Sequence, residues 1–125
     1  MREIKFKVNI KDTSIVVDVK HISFIQDNIV VKIYNSAVDE EILFDSDEVE
    51  LLQYTGLKDK NGVEIYEGDI VECFNDGLSE VLFRKGSFGT LTYTSRGVDF
   101  YTFNEVYGAC EIIGNIYENP ELLEV

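Results

Sequence analysis

The chain has 125 residues, of which 45% are hydrophobic and 28% charged, and its 24 acidic against 11 basic side chains leave a formal net charge of −13. That length makes a single domain (1–125) able to bury roughly two-thirds of its unfolded surface without staples, and the composition argues against disorder. The charge argues against direct nucleic-acid binding, because phosphates would be repelled, and no apolar run or signal-peptide pattern points to a membrane.

Ile4, Phe6, Val8 and Ile10 alternate with Lys5, Lys7, Asn9 and Lys11, the period of a strand with one polar face. Lys11-Asp12-Thr13 turns the chain, and Ile15, Val17 and Val19 run back along it. Residues 22–25 and 29–34 are two further short strands around a polar Gln26-Asp27-Asn28 turn. Residues 1–50 therefore read as a β-meander. His21 is the only histidine, set between Val19 and Ile22, so a strand residue with a hydrogen-bonded ring is a better reading than a catalytic base.

Ile42-Leu43-Phe44 resumes the strand pattern, and Asp45, Asp47, Glu48 and Glu50 then gather without a histidine or any fixed geometry, which argues against a metal site. Ser46 or Asp47 begins a short helical turn, or a strand runs through Val49, Leu51 and Gln53; the alternation leans to the strand.

Residues 53–71, QYTGLKDKNGVEIYEGDIV, carry the strongest turn signal in the chain. Thr55-Gly56 closes one apolar run. Asp59-Lys60-Asn61-Gly62 supplies a turn, since Asn and Gly tolerate positive φ and Asp bonds its own backbone. Val63, Ile65, Ile70 and Val71 follow, interrupted at Gly68-Asp69, which predicts a corner that re-aims the next strand. Tyr54, Gly56, Asp59, Asn61, Gly62, Tyr66, Glu67, Gly68 and Asp69 are the residues expected to shape this corner and to offer an interface. A calcium loop fails on register: with Gly62 at its sixth position, Leu57 and Gly68 stand where the first ligand and the bidentate carboxylate belong.

Cys73 and Cys110 are far apart without metal-type spacing and, in a cytoplasmic protein, read as two buried, reduced thiols in preference to a disulfide. Strands are expected around residues 81–83, 90–94, 100–103 and 110–117, with a loop over 104–108 and Gly114 as a bulge. Gly86-Ser87-Phe88-Gly89 has no following helix and no Lys-Ser/Thr, so it is no phosphate loop. Asn119, Pro120 and Glu121 stand in the order of a helix start, and so short a C-terminal helix must dock through Leu122 and Leu123, on its own barrel or on a neighbouring subunit.

The segments Tyr54-Thr55-Gly56-Leu57-Lys58-Asp59-Lys60-Asn61-Gly62, Glu64-Ile65-Tyr66-Glu67-Gly68-Asp69-Ile70-Val71 and Ile113-Gly114-Asn115-Ile116-Tyr117-Glu118-Asn119-Pro120-Glu121-Leu122-Leu123 resemble the YopX family of small phage and prophage proteins. The opening Arg2-Glu3-Ile4-Lys5-Phe6-Lys7 fits more loosely. Members often carry an Arg and a Trp just after it, where this chain has Val8-Asn9-Ile10 and no Trp at all. The resemblance implies a phage-related protein of the bacterial cytoplasm that self-associates, and it implies no known activity.

The expected fold is mainly β: an N-terminal meander (1–50), then an antiparallel, SH3-like small barrel (51–125) with the short C-terminal helix. No catalytic constellation assembles; Glu64, Glu67, Asp69 and Glu72 pair no more than chance predicts among 24 acids. No cofactor and no metal are expected. Two readings stand: a non-catalytic, self-assembling module, or an acidic protein that binds a basic partner in the manner of a nucleic-acid mimic.

Overall fold

The computed structural model describes residues 3–25, 28–35, 40–73, 77–84, 86–94, 97–102 and 109–123. The turns expected at 26–27 and 75–76 and the loop at 104–108 lie outside them. The strands are β1 (Phe6–Ile10), β2 (Val16–Ile25), β3 (Asn28–Asn35), β4 (Glu40–Asp45), β5 (Val49–Lys58), β6 (Glu64–Tyr66), β7 (Asp69–Cys73), β8 (Leu78–Arg84), β9 (Ser87–Thr94), β10 (Gly97–Thr102) and β11 (Cys110–Asn115). They form two antiparallel sheets, ordered β4-β3-β2-β1-β5-β6 and β10-β9-β8-β7-β11.

The meander is present, with two changes. Residues 16–25 form one strand where two were expected, and β2 carries an irregularity in its β3 register between Val19 and His21. A 3₁₀ turn (Ser46–Glu48) and β5 occur in succession, so both readings of that segment hold in part; Glu48 Oε1 accepts the Asp45 N–H at 3.0 Å.

This short connection shapes the first sheet. β4 and β5 stand four places apart, about 19 Å in a flat sheet at the usual strand spacing. The four peptide units from Asp45 to Val49 reach at most about 14 Å. The sheet must therefore curl, and it curls around Val8, Val31, Ile33 and Val49, with Val17, Val19, Ile29, Ile42, Phe44 and Leu51 packed against them. The second core is Ile65, Val71, Val81 and Cys110. Ile65 comes from β6, the last strand of the first sheet, so the β5–β6 hairpin is shared between the two halves.

Three expectations are corrected. Among the described residues neither sheet is closed, so the C-terminal half does not form the expected SH3-like barrel, and the sheets divide around Gly68 rather than near residue 50. The C-terminal helix is a four-residue 3₁₀ turn (Pro120–Leu123). The Asn119 carbonyl accepts the Leu122 N–H at 3.1 Å, while its side chain turns back: Oδ1 accepts the Asn115 N–H at 3.2 Å and lies 2.5 Å from where a Cβ on Gly114 would sit. Gly114 is thus required at the β11 bulge, and half-buried Leu122 and Leu123 lie in a turn packed against β8. Finally, Cys73 and Cys110 face each other in the β7–β11 register, with Cα atoms 4.1 Å apart, and form a disulfide. Their separation of 37 residues hid this, because only strand pairing brings them together.

Closing a loop of that length restricts the unfolded chain, and its loss is expected to cost about 2–4 kcal/mol. Denaturant unfolding of the protein and of a Cys73→Ser, Cys110→Ser variant, with and without reductant, checks this: reductant should shift the midpoint of the parent protein only.

Candidate functional site

Asp59 is buried and its carboxylate is fully committed to backbone. Oδ1 accepts the N–H groups of Asn61 (2.8 Å) and Val63 (3.0 Å), and Oδ2 accepts the N–H of Ile112 on β11 (3.0 Å). The Lys60 N–H donates to the Cys110 carbonyl at 2.9 Å, and the Gly62 N–H to the Asp59 carbonyl at 3.0 Å, with Gly62 at φ 81°. The turn from the first sheet is thereby clipped to β11 of the second. Burial pushes the Asp59 carboxyl up, but the N–H groups of Ile112, Val63 and Asn61, with Lys60 nearby, outweigh it and hold it below its ordinary value.

The corner behind the clip is tied just as closely. Glu67 and Gln53 exchange hydrogen bonds: the Glu67 N–H donates to the Gln53 carbonyl and the Gln53 N–H to Glu67 Oε1, both at 3.0 Å. The Gly68 N–H donates to the Val81 carbonyl and the Gly68 carbonyl accepts the Ile116 N–H, both at 2.8 Å. Gly68 holds φ 87° and a Cβ there would meet the Tyr117 ring at 3.0 Å, so conformation and space both demand glycine. Asp69 Oδ2 accepts the Tyr66 N–H at 2.8 Å. Burial pushes the Asp69 carboxyl up to about 6, against that N–H and the charge of Lys7, with Asp59 adding to the rise. The four acids Glu64, Glu67, Asp69 and Glu72 are thus not gathered around one point: Glu64 pairs with Lys5, while Glu67 and Asp69 each accept a backbone N–H.

Tyr54 and Tyr66 are buried with ring centroids 5.4 Å apart, and Lys7 Nζ sits 4.6 Å from the Tyr66 ring centre. Gly56, at φ 86°, and Asn61 are exposed at the surface of the hairpin.

Beside Tyr66 opens a cleft of about 730 Å³ that the sequence reading missed. β1 pairs with β2 only from Lys7 to Asn9; beyond the irregularity at Lys20, β2 stays with β3 and leaves β1. The cleft fills this fork. Phe6, Ile22, Phe24 and Leu51 line it on the side of the first core, while Lys5, Asp18, Glu64 and Tyr66 line the opposite side. Lys5 Nζ bridges Glu3 (2.8 Å) and Glu64 (2.5 Å), which holds the Lys5 ammonium above and the Glu64 carboxyl below their ordinary values. Burial, with the charges of Glu64 and Asp18, pushes the Tyr66 hydroxyl up to about 12. His21 Nε2 lies 2.7 Å from Ser23 Oγ, a ring engaged within the strand as expected. The sequence did hold a signal for the fork: apolar residues fall on odd positions at Val17 and Val19 and on even ones at Ile22 and Phe24, and such a phase change within a single strand marks a bulge.

Elsewhere, Asp45, Asp47 and Glu48 bring carboxylate oxygens within 4.8 Å of one another on the surface, with Glu48 already engaged by the Asp45 N–H. Among the described residues no helix is long and apolar enough to cross a membrane.

The family model of the YopX protein matches residues 5–124. The chain belongs to the YopX family. The match takes in the N-terminal meander, where the resemblance of motifs was weakest. The crystal structure of protein EF1440 from Enterococcus faecalis is similar over 99% of this chain and 100% of its own, at 25% identity and a TM-score of 0.56. No curated protein matches significantly.

Two outcomes are expected from the clip of this YopX chain. Asp59→Ala strands three backbone N–H groups and should cost on the order of 3 kcal/mol or more in denaturant unfolding. Asp69 works in the opposite sense. Its folded value of about 6 lies above the usual 3.8, so its contribution is full below 3.8 and is lost as pH rises through 6. The loss is on the order of 3 kcal/mol. Asp69→Asn retains an acceptor for the Tyr66 N–H without ionising. Relative to the parent, it should gain stability progressively across that window, as unfolding at about pH 4, 5, 6 and 7 will show.

Proposed function

We propose that this protein is a non-catalytic binding module of phage origin that assembles with copies of itself. The observation that carries the reading is β10. It is the outer strand of the second sheet, and among the described residues no strand lies on its far side. Val98 and Tyr101 on it are 53% and 59% exposed. A long edge with exposed apolar side chains is a template for pairing with another chain. Charge supports the same reading: residues 1–32 carry net +2 (6 basic, 4 acidic) and residues 63–125 net −9 (3 basic, 12 acidic), so unlike faces of two copies attract. Leu122 and Leu123, once candidates for the same contact, are half-buried in a turn on β8 of their own chain and are not part of the proposal. Nor is a cytoplasmic location, since the Cys73–Cys110 disulfide is at odds with a reducing compartment.

Size-exclusion chromatography with light scattering tests this. A defined oligomer is expected, loosened by salt and reduced to monomer by Tyr101→Lys. A monomer at both low and high salt, at concentrations on the order of tens of micromolar, would refute it.

A further inference from the structure

The fork between β1 and β2 is open along a strand edge. His21–Phe24 pair with β3 on one side, and among the described residues no strand occupies the other. The opposite wall is the extended stretch from Ile4 to Phe6, whose Lys5 carbonyl accepts the Tyr54 N–H from β5 at 2.9 Å. At the mouth stand Phe24 and Ile4, 77% and 74% exposed, the two most exposed large apolar side chains among the described residues. An unpaired strand edge beside an apolar cleft is the kind of surface to which an extended segment adds as a further strand.

Its two faces differ in chemistry. On the core side lie Phe6, Ile22, Phe24 and Leu51; on the other, Lys5, Asp18, Glu64 and Tyr66. Glu64 shares Lys5 with Glu3, and Lys20 reaches Glu41 at 3.6 Å, whereas Asp18 has no cation within ion-pair distance among the described residues. A strand entering the fork presents alternate side chains to alternate faces. We propose that the cleft takes an extended segment of a partner protein in which apolar residues alternate with lysine or arginine. Strand addition to the open edge of β2 supplies backbone hydrogen bonds, the apolar side chains cover Phe24 and Ile22, and a basic side chain meets Asp18. This does not rest on self-association, which uses β10 at the edge of the other sheet.

The test uses the isotope-labelled full chain and a capped seven-residue peptide alternating valine and lysine, followed by amide chemical-shift mapping. The lysine peptide is expected to move the amides of His21–Phe24 and Ile4–Phe6. A valine–glutamate peptide, and the lysine peptide N-methylated on its bonding edge, should bind at least about tenfold more weakly. Phe24→Asp, at a position exposed enough to leave the fold intact, should weaken binding about tenfold, and Asp18→Asn should do so severalfold and remove part of the salt dependence. Absence of shifts at about 1 mM peptide, shifts confined to other surfaces, or equal binding of the glutamate peptide overturns the proposal. So does loss of the oligomer in Phe24→Asp, because the cleft would then belong to a second copy of this chain.

Discussion

The rest of the structure hangs on one buried carboxylate. Asp59 spends both oxygens on backbone N–H groups, two within its own turn and one on β11. Charge-assisted bonds of this kind are stronger than neutral ones, and they outweigh the cost of taking the charge out of water. The result is a joint between the two sheets, reinforced by the Lys60 N–H on the Cys110 carbonyl and the Lys60–Glu111 ion pair. Ile65 and Cys110, which flank the joint in sequence and in space, are both fully buried in the second core. The neighbouring corner adds Gly68, whose backbone reaches both β8 and the residues after β11. The densest run of special residues in the chain is therefore architectural: it sets one sheet against the other, and through Tyr66 and Glu64 it builds one wall of the cleft.

The cleft itself arises from a conflict between pairing and curvature. The first sheet must curl tightly for Asp45 and Val49 to be joined by three residues. A long strand such as β2 cannot follow that curl along its whole length and keep both neighbours, and the bulge at Lys20 resolves it by surrendering β1. What remains is a strand edge next to apolar side chains that the first core has no room to cover. Natural sheets usually protect such edges with charge, short length or a covering element. Here Lys20 and Lys5 stand nearby but are engaged with Glu41, Glu3 and Glu64, so the edge keeps its apolar character.

Much of the fold was legible because its signals are local. Alternation marked β1 and parts of β5 and β9, an apolar run between polar turns marked β3, and Asp59-Lys60-Asn61-Gly62 and Gly68-Asp69 marked the turn and the corner that the structure places there. Asn119-Pro120-Glu121 marked where the last turn begins but not its kind: four residues form a 3₁₀ turn, and the Asn119 side chain is drawn back onto Gly114 and the Asn115 N–H. The cysteines misled for a related reason: spacing along the chain carries no information about which strands pair across 37 residues.

Taken alone, the amino-acid order determined the strand-rich class, the places where the chain turns and the identity of the glycines and aspartates that turn it. Those properties depend on side-chain period and on local backbone preference, which a few consecutive residues already express. Sheet order, the open form of both sheets, the disulfide, the commitment of Asp59 to β11 and the fork at Lys20 were decided only in three dimensions. Each depends on residues distant in sequence meeting at particular backbone atoms, and the free energy that selects one such meeting over another belongs to the packed whole.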